Sequence, residues 1–81
     1  MRFIFAKRAD RDFDALSPAL QLLVMKQIDF LVEDLRHPSV RAKKYDVSQN
    51  VWQGRVDRSY RFYFAIVDDV YVALSITKHP K

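Results

Sequence analysis

Apolar and polar residues alternate along this chain at two different periods, and the change of period divides it. The opening Met1–Lys7 sets Phe3 and Phe5 on one side and Arg2 and Ile4 on the other. That predicts a strand, since aromatic and β-branched side chains suit a pleated surface. Asp10 to Leu16 reads instead as a short helix, with Ala9, Phe13 and Leu16 at helical spacing. Ser17-Pro18 then marks a second helix start. A serine side chain accepts from free backbone N–H groups, and a proline at the first helical position gives up only a donor that was unpaired anyway. After it Leu20, Leu23, Val24, Gln27/Ile28, Leu31 and Leu35 recur near the helical period, a stripe whose plain meaning is core. Arg36-His37-Pro38 stops the helix, because a residue before proline is pushed away from helical geometry.

From Lys44 onward the period is two. Val51–Val56, Tyr60–Val67 and Val70–Thr77 read as strands, joined by Asp57-Arg58-Ser59 and by Asp68-Asp69. Connections this short force antiparallel neighbours. Lys43–Val47 is a further short edge strand. With one glycine (Gly54), three prolines and no repeat or linker, residues 1–81 make a single domain. The expected fold is α+β, in the order β-α-α-β-β-β(-β), with an N-terminal helical hairpin packed on an antiparallel sheet.

Alternation also sorts the strands into faces. Trp52, Gly54 and Val56 share a side, as do Phe62, Phe64 and Ile66, and Val72, Leu74 and Ile76; these are the sets the helices should cover. The opposite side carries Gln53 and Arg55, then Arg61, Tyr63 and Ala65, then Ala73, Ser75 and Thr77. The same parity brings His79 to that side, with Lys78 and Lys81 nearby. Arg55, Arg61, Tyr63 and His79 are therefore expected to converge on one open surface. A guanidinium matches a phosphate bidentately, a histidine titrates near neutral pH, and a tyrosine stacks on a base or donates a proton. Taken singly, each of these residues has an ordinary structural use, since Arg/Tyr pairs across strands commonly stabilise sheets.

Composition narrows the chemistry. The chain has no cysteine, which removes disulfides and thiolate zinc sites, and its two histidines stand far apart in sequence. No metal or cofactor is expected. No apolar run approaches the ~20 residues of a membrane span, and MRFIFAKR is charged too early to serve as a signal peptide; a cytoplasmic protein is the expectation. The net charge of +4 is uneven. Arg36–Arg61 holds seven Lys/Arg against two Asp, while Asp10–Leu35 holds six acids against two bases. A basic segment set against an acidic one is the footprint of a phosphate-bearing or acidic partner.

Several of these features together resemble the RelE/ParE toxin superfamily of type II toxin–antitoxin systems over nearly the whole chain. They are the opening strand and helical hairpin with Asp10, Asp12 and Asp14, the basic turn Arg41-Ala42-Lys43-Lys44-Tyr45, and the block Val51 to Phe64 containing Tyr60-Arg61-Phe62-Tyr63. The Val67-Asp68-Asp69-Val70 hairpin and the ending Ile76-Thr77-Lys78-His79-Pro80-Lys81 complete the pattern.

The resemblance implies a ribosome-dependent endonuclease that cuts mRNA without metal, using the RNA 2′-hydroxyl as nucleophile and restrained by a cognate antitoxin. By the same resemblance Arg61 stabilises the phosphate and His79 transfers a proton or stabilises charge. Arg55 and Lys78 contact the backbone, Lys43 and Lys44 bind ribosomal RNA or substrate phosphate, and Tyr63 and Lys81 lie in the substrate-binding set. Where one branch of the superfamily carries two lysines, this chain has Trp52 and Gly54. Where another carries a glutamate, the Val40–Val51 segment offers only Asp46, so no residue stands out as general base. Three alternatives remain: a non-catalytic member that binds an antitoxin-like partner, a ParE-type inhibitor of DNA gyrase, and a small RNA- or DNA-binding module.

Overall fold

Ser17-Pro18 starts a helix as the sequence predicts, with the Ser17 hydroxyl accepting from the Leu20 N–H at 3.3 Å. The computed structural model describes residues 1–79. In chain order it comprises β1 (Arg2–Phe5), α1 (Lys7–Asp14), α2 (Pro18–Glu33), β2 (Lys43–Asp46), β3 (Val51–Arg55), β4 (Tyr60–Val67) and β5 (Val70–Lys78). Helix α2 ends earlier than the Arg36-His37-Pro38 signal suggests. Asp34 is already extended, and its carboxylate accepts from the Arg36 N–H at 2.9 Å, so a side-chain turn ends the helix before the proline does. Helix α1 begins at Lys7, shortening the first strand to four residues.

The five strands form one sheet in the order β1-β5-β4-β3-β2. β2 to β5 form an antiparallel meander, and β1 joins β5 in parallel. The sheet is therefore mixed and not wholly antiparallel as expected, because the helical pair carries the chain back across the sheet before the meander begins.

Helix α2 lays Val24, Ile28 and Leu31 on one face of the sheet, against Phe62, Phe64, Tyr71 and Ile76. Phe62 and Phe64 are stacked with ring centroids 5.5 Å apart, and Phe64 meets Tyr71 edge-on at 5.6 Å. Opposite Phe62 stands Gly54. A Cβ there would lie 2.4 Å from the Phe62 ring, so only glycine lets this ring sit down on β3.

One part of the predicted face assignment is overturned. Val72 and Leu74 do not belong to the covered face; Tyr71 and Ala73 do, at 3% and 1% exposure. The register steps from Tyr63↔Ser75 to Phe64↔Ala73, leaving Leu74 as an extra residue in β5. Such a bulge reverses the parity of everything before it. Ser75 and Thr77 keep their predicted side, while Ala73 moves to the other.

Helix α1 covers β5 where β1 has run out. The last β1-side bond is Ala6 N–H to Ala73 C=O at 2.8 Å. Further along, the Asp12 carboxylate accepts from the Ile76 N–H at 2.9 Å, standing in for a strand partner.

Candidate functional site

The uncovered face of the sheet is a grid whose rows are set by strand register. Arg55, Arg61 and Thr77 form one row; Lys43, Gln53, Tyr63 and Ser75 form the next; Val51, Ala65, Val72 and Ile4 form a third. The face therefore runs from cationic at one end to apolar at the other.

The cationic end is concave. A hollow of about 320 Å³ is lined by Arg41, Lys43, Gln53, Arg55, Arg61 and His79. Among the described residues no carboxylate lines it. Arg55 and Arg61 are direct cross-strand partners, an arrangement that costs stability because like charges face each other. An anion seated between them would reverse that cost.

The backbone around the hollow is held from beneath. Gln27, buried on α2 at 6% exposure, donates through Nε2 to the Ser39 carbonyl at 2.8 Å and the Arg55 carbonyl at 2.7 Å. The Arg55 N–H in turn donates to the Val40 carbonyl at 2.8 Å. Val40 is fully buried, and the next residue, Arg41, turns outward with φ 51. A left-handed backbone is uncommon for a residue with a long side chain, and strain of this kind persists only where neighbours over-determine it. Here the buried Val40 and the Gln27 bonds do so. Stacking of His37 on Phe30, with centroids 4.0 Å apart, packs the same loop against α2.

Arg61 is fixed by its own turn. Its Nη1 donates to the Asp57 carbonyl at 2.5 Å and the Tyr60 carbonyl at 2.9 Å. A guanidinium has five N–H donors, so the two turn bonds leave others for a ligand in the hollow that Arg61 lines. The Asp57 carboxylate is engaged inside the turn, accepting from the Ser59 and Tyr60 N–H groups at 2.8 Å each. His79 stands across from it, its N–H bonded to the Ser59 carbonyl at 2.5 Å.

Two titrating groups are tuned away from base chemistry. Burial pushes the Tyr63 phenol above its ordinary value, with a smaller push from Tyr45 beside it, so at neutral pH it is a neutral donor. The Ser48 hydroxyl and then the Gln49 N–H hold the Asp46 carboxyl below the usual range, as a turn acceptor.

Of the residues singled out in the sequence, Lys43, Arg55, Arg61 and His79 meet in this hollow, and Tyr63 stands in the adjacent row. Lys44 does not join them: its Nζ sits 5.1 Å from the Trp52 ring centroid and bonds to Asn50 Oδ1 on the other side of the edge strand. Lys78 is the register partner of Tyr60, which packs against the core, so it leaves on the helix side. Lys81 lies outside the described residues. Arg41 was not foreseen as a site residue. It reaches the hollow through its left-handed backbone, which alternation along the sequence does not show. Trp52 and Gly54 face the helices, so no side chain at either position reaches the hollow. Among the described residues no group of His, Asp and Glu is arranged to hold a metal ion, and no helix is long and apolar enough to cross a membrane.

Comparison with known proteins finds the same fold in toxins. The YoeB/ParE toxin from Agrobacterium tumefaciens superposes with a TM-score of 0.83 at 9% identity, covering 99% of this chain and 100% of that one. The toxin–antitoxin complex RelBE2 from Mycobacterium tuberculosis gives 0.75 at 23% identity, covering 96% of each chain. The isolated RelE toxin of Escherichia coli gives 0.75 at 17% identity, covering 99% of this chain and 85% of that one. No family model and no curated protein matches the sequence. The chain thus has the RelE/YoeB-like fold, two helices packed on a five-stranded mixed sheet.

Proposed function

We propose that this chain is the toxin of a type II toxin–antitoxin pair and that it cuts mRNA on the ribosome through the basic hollow. The observation that carries the reading is the convergence of Arg41, Lys43, Arg55, Arg61 and His79 without a carboxylate among the lining residues. Likeness in fold to RelE and YoeB toxins supports the biological setting. In this reading, attack by the RNA 2′-hydroxyl puts negative charge on the phosphate oxygens. Arg61, already aimed by its turn, and Arg55 across from it stabilise that charge. His79 brings the one imidazole among the lining residues, and it carries a proton transfer. Arg41 and Lys43 hold flanking phosphates. The setting is cytoplasmic. An antitoxin silences the protein by bringing acids to the hollow, and RelBE2 was solved as a toxin–antitoxin complex.

A second reading is a binder without chemistry, such as a member that holds only an antitoxin-like partner or one that blocks DNA gyrase. It is favoured by the lining of the hollow, which among the described residues holds no carboxylate or second imidazole, while the nearby Asp46 and Asp57 are engaged in turns.

The test is induced expression in a bacterial host while following mRNA cleavage on translating ribosomes. The nuclease reading expects growth arrest with cleavage, both relieved by Arg61→Ala or His79→Ala. Arrest that survives both substitutions, with intact mRNA, would reject it in favour of a binder. Filamentation and DNA breakage with translation continuing would point to gyrase.

A further inference from the structure

Beside the basic hollow lies a second one of about 400 Å³ with a different lining. Its floor is Val51 and Leu74, its walls are Tyr45 and Tyr63, and Ser75 and Thr77 stand on its rim. Leu74 and Ser75 are consecutive in β5 yet both open into this space. In a regular strand they would point to opposite faces, so the bulge at Leu74 creates the floor of the hollow. The two tyrosine rings meet at 60° with centroids 4.7 Å apart, forming a corner. Tyr45 is 62% exposed, an aromatic ring held in place on an edge strand with little to cover it. Arg8 closes the α1 side, and His79 is the ridge shared with the basic hollow. Tyr63 follows Arg61 on the same face of β4 by two residues, a separation of about 7 Å.

We propose that this second hollow is a nucleobase subsite, taking the base of a single-stranded ribonucleotide whose phosphate lies in the basic hollow. The inference rests on the RNA-directed reading above and deepens it. A base lies flat on one tyrosine, meets the edge of the other, and covers the apolar floor of Val51 and Leu74. Stacking of this kind tolerates any base, since each has a π-face. The Ser75 and Thr77 hydroxyls both donate and accept, so they satisfy the base edge without selecting one sequence. Tyr63, whose phenol burial pushes further above its ordinary value, meets the base as a neutral ring. The shared His79 ridge makes the two hollows one continuous track, base on one side and phosphate on the other.

The test uses the full chain at fixed, near-physiological salt with two pentaribonucleotides, one intact and one abasic at its central position. Binding is measured for the unaltered protein and for Tyr45→Ala and Tyr45→Trp, with thermal unfolding as the control for folding. Tyr45→Ala should weaken the intact oligonucleotide by about tenfold or more and leave the abasic one unchanged, and Tyr45→Trp should restore the loss. Equal weakening of both oligonucleotides, or no weakening of either, overturns the subsite while leaving the basic hollow as an RNA contact. Binding of neither oligonucleotide by the unaltered protein overturns the subsite, while cleavage on translating ribosomes decides the RNA-directed reading separately.

Discussion

The two faces of β4 obey opposite rules within a single run of residues. Phe62 and Phe64 point to the helices and are 1% and 0% exposed, while Arg61 and Tyr63, interleaved with them, point away and line hollows. The covered face is built for stability: aromatic rings in contact, a glycine opposite one of them, and no buried side-chain polar atom without a partner among the described residues. The open face places two arginines across from each other and lets a bulge lift Leu74 outward. Like charges facing each other across strands cost stability, a cost that an anionic ligand would offset. If the division of labour is right, substitutions on the covered face should move stability and leave RNA affinity alone. Those on the open face should do the reverse.

The largest effect is expected at Phe64. Phe64→Ala removes a fully buried ring from the centre of the aromatic cluster and should cost about 3–5 kcal/mol, read as a lower denaturant midpoint. Protein still folded at low temperature should bind RNA as before; a specific loss of affinity there would blur the two faces. Gly54→Ala comes next. The added methyl meets the Phe62 ring, and overpacking of this kind costs about 1–3 kcal/mol. Combining it with Phe62→Leu should cost less than the sum of the two single changes, because the shorter side chain withdraws the ring that the methyl would strike. Plain additivity would mean that the contact with Phe62 is not the source of the cost.

How far the sequence discloses each face follows from what local pattern can carry. The strand β4, the helix start at Ser17-Pro18, and the grouping of Arg55 with Arg61 follow from period and turn length, which are properties of neighbouring residues. The face of β5 before Ser75 does not. Val70 to Thr77 alternates cleanly in sequence, and only pairing with β4 shows that Leu74 is an extra residue. The parallel pairing of β1 with β5 is likewise a long-range fact, fixed by the path of the helices. Lys44 and Lys78 were expected among the contacts from the family resemblance. Their register partners, Trp52 and Tyr60, send them to the other side. Arg41 reaches the hollow by a left-handed turn that no periodicity encodes.

Gln27 is where the two faces are joined, since its amide reaches from the core side to the backbone beneath the hollow. Gln27→Leu keeps the bulk and leaves the Ser39 and Arg55 carbonyls without their donor, at a cost of about 1–3 kcal/mol. RNA affinity should fall as well, because the loop that presents Arg41 loses its tie. A core substitution tuned to the same stability loss, such as Ile28→Val or Ile28→Ala, should leave affinity intact. Equal affinity losses in the two variants would reduce Gln27 to an ordinary stabilising residue.

The smallest effect on stability, and the sharpest for the comparison, is expected at Arg55. It faces Arg61 across the strands and makes no ion pair among the described residues. Arg55→Ala removes a like-charge neighbour and some stem packing, so stability should stay within about 1 kcal/mol of the starting protein. RNA binding should nevertheless weaken, and the slope of log affinity against log salt should shrink by roughly 0.7 for the lost phosphate contact. Stability and affinity then respond separately to one substitution, as expected of a residue kept for a ligand at the expense of the fold. A clear loss of stability with an unchanged salt slope would instead make Arg55 a structural part of the sheet, leaving Arg61, Arg41 and Lys43 to hold the phosphates.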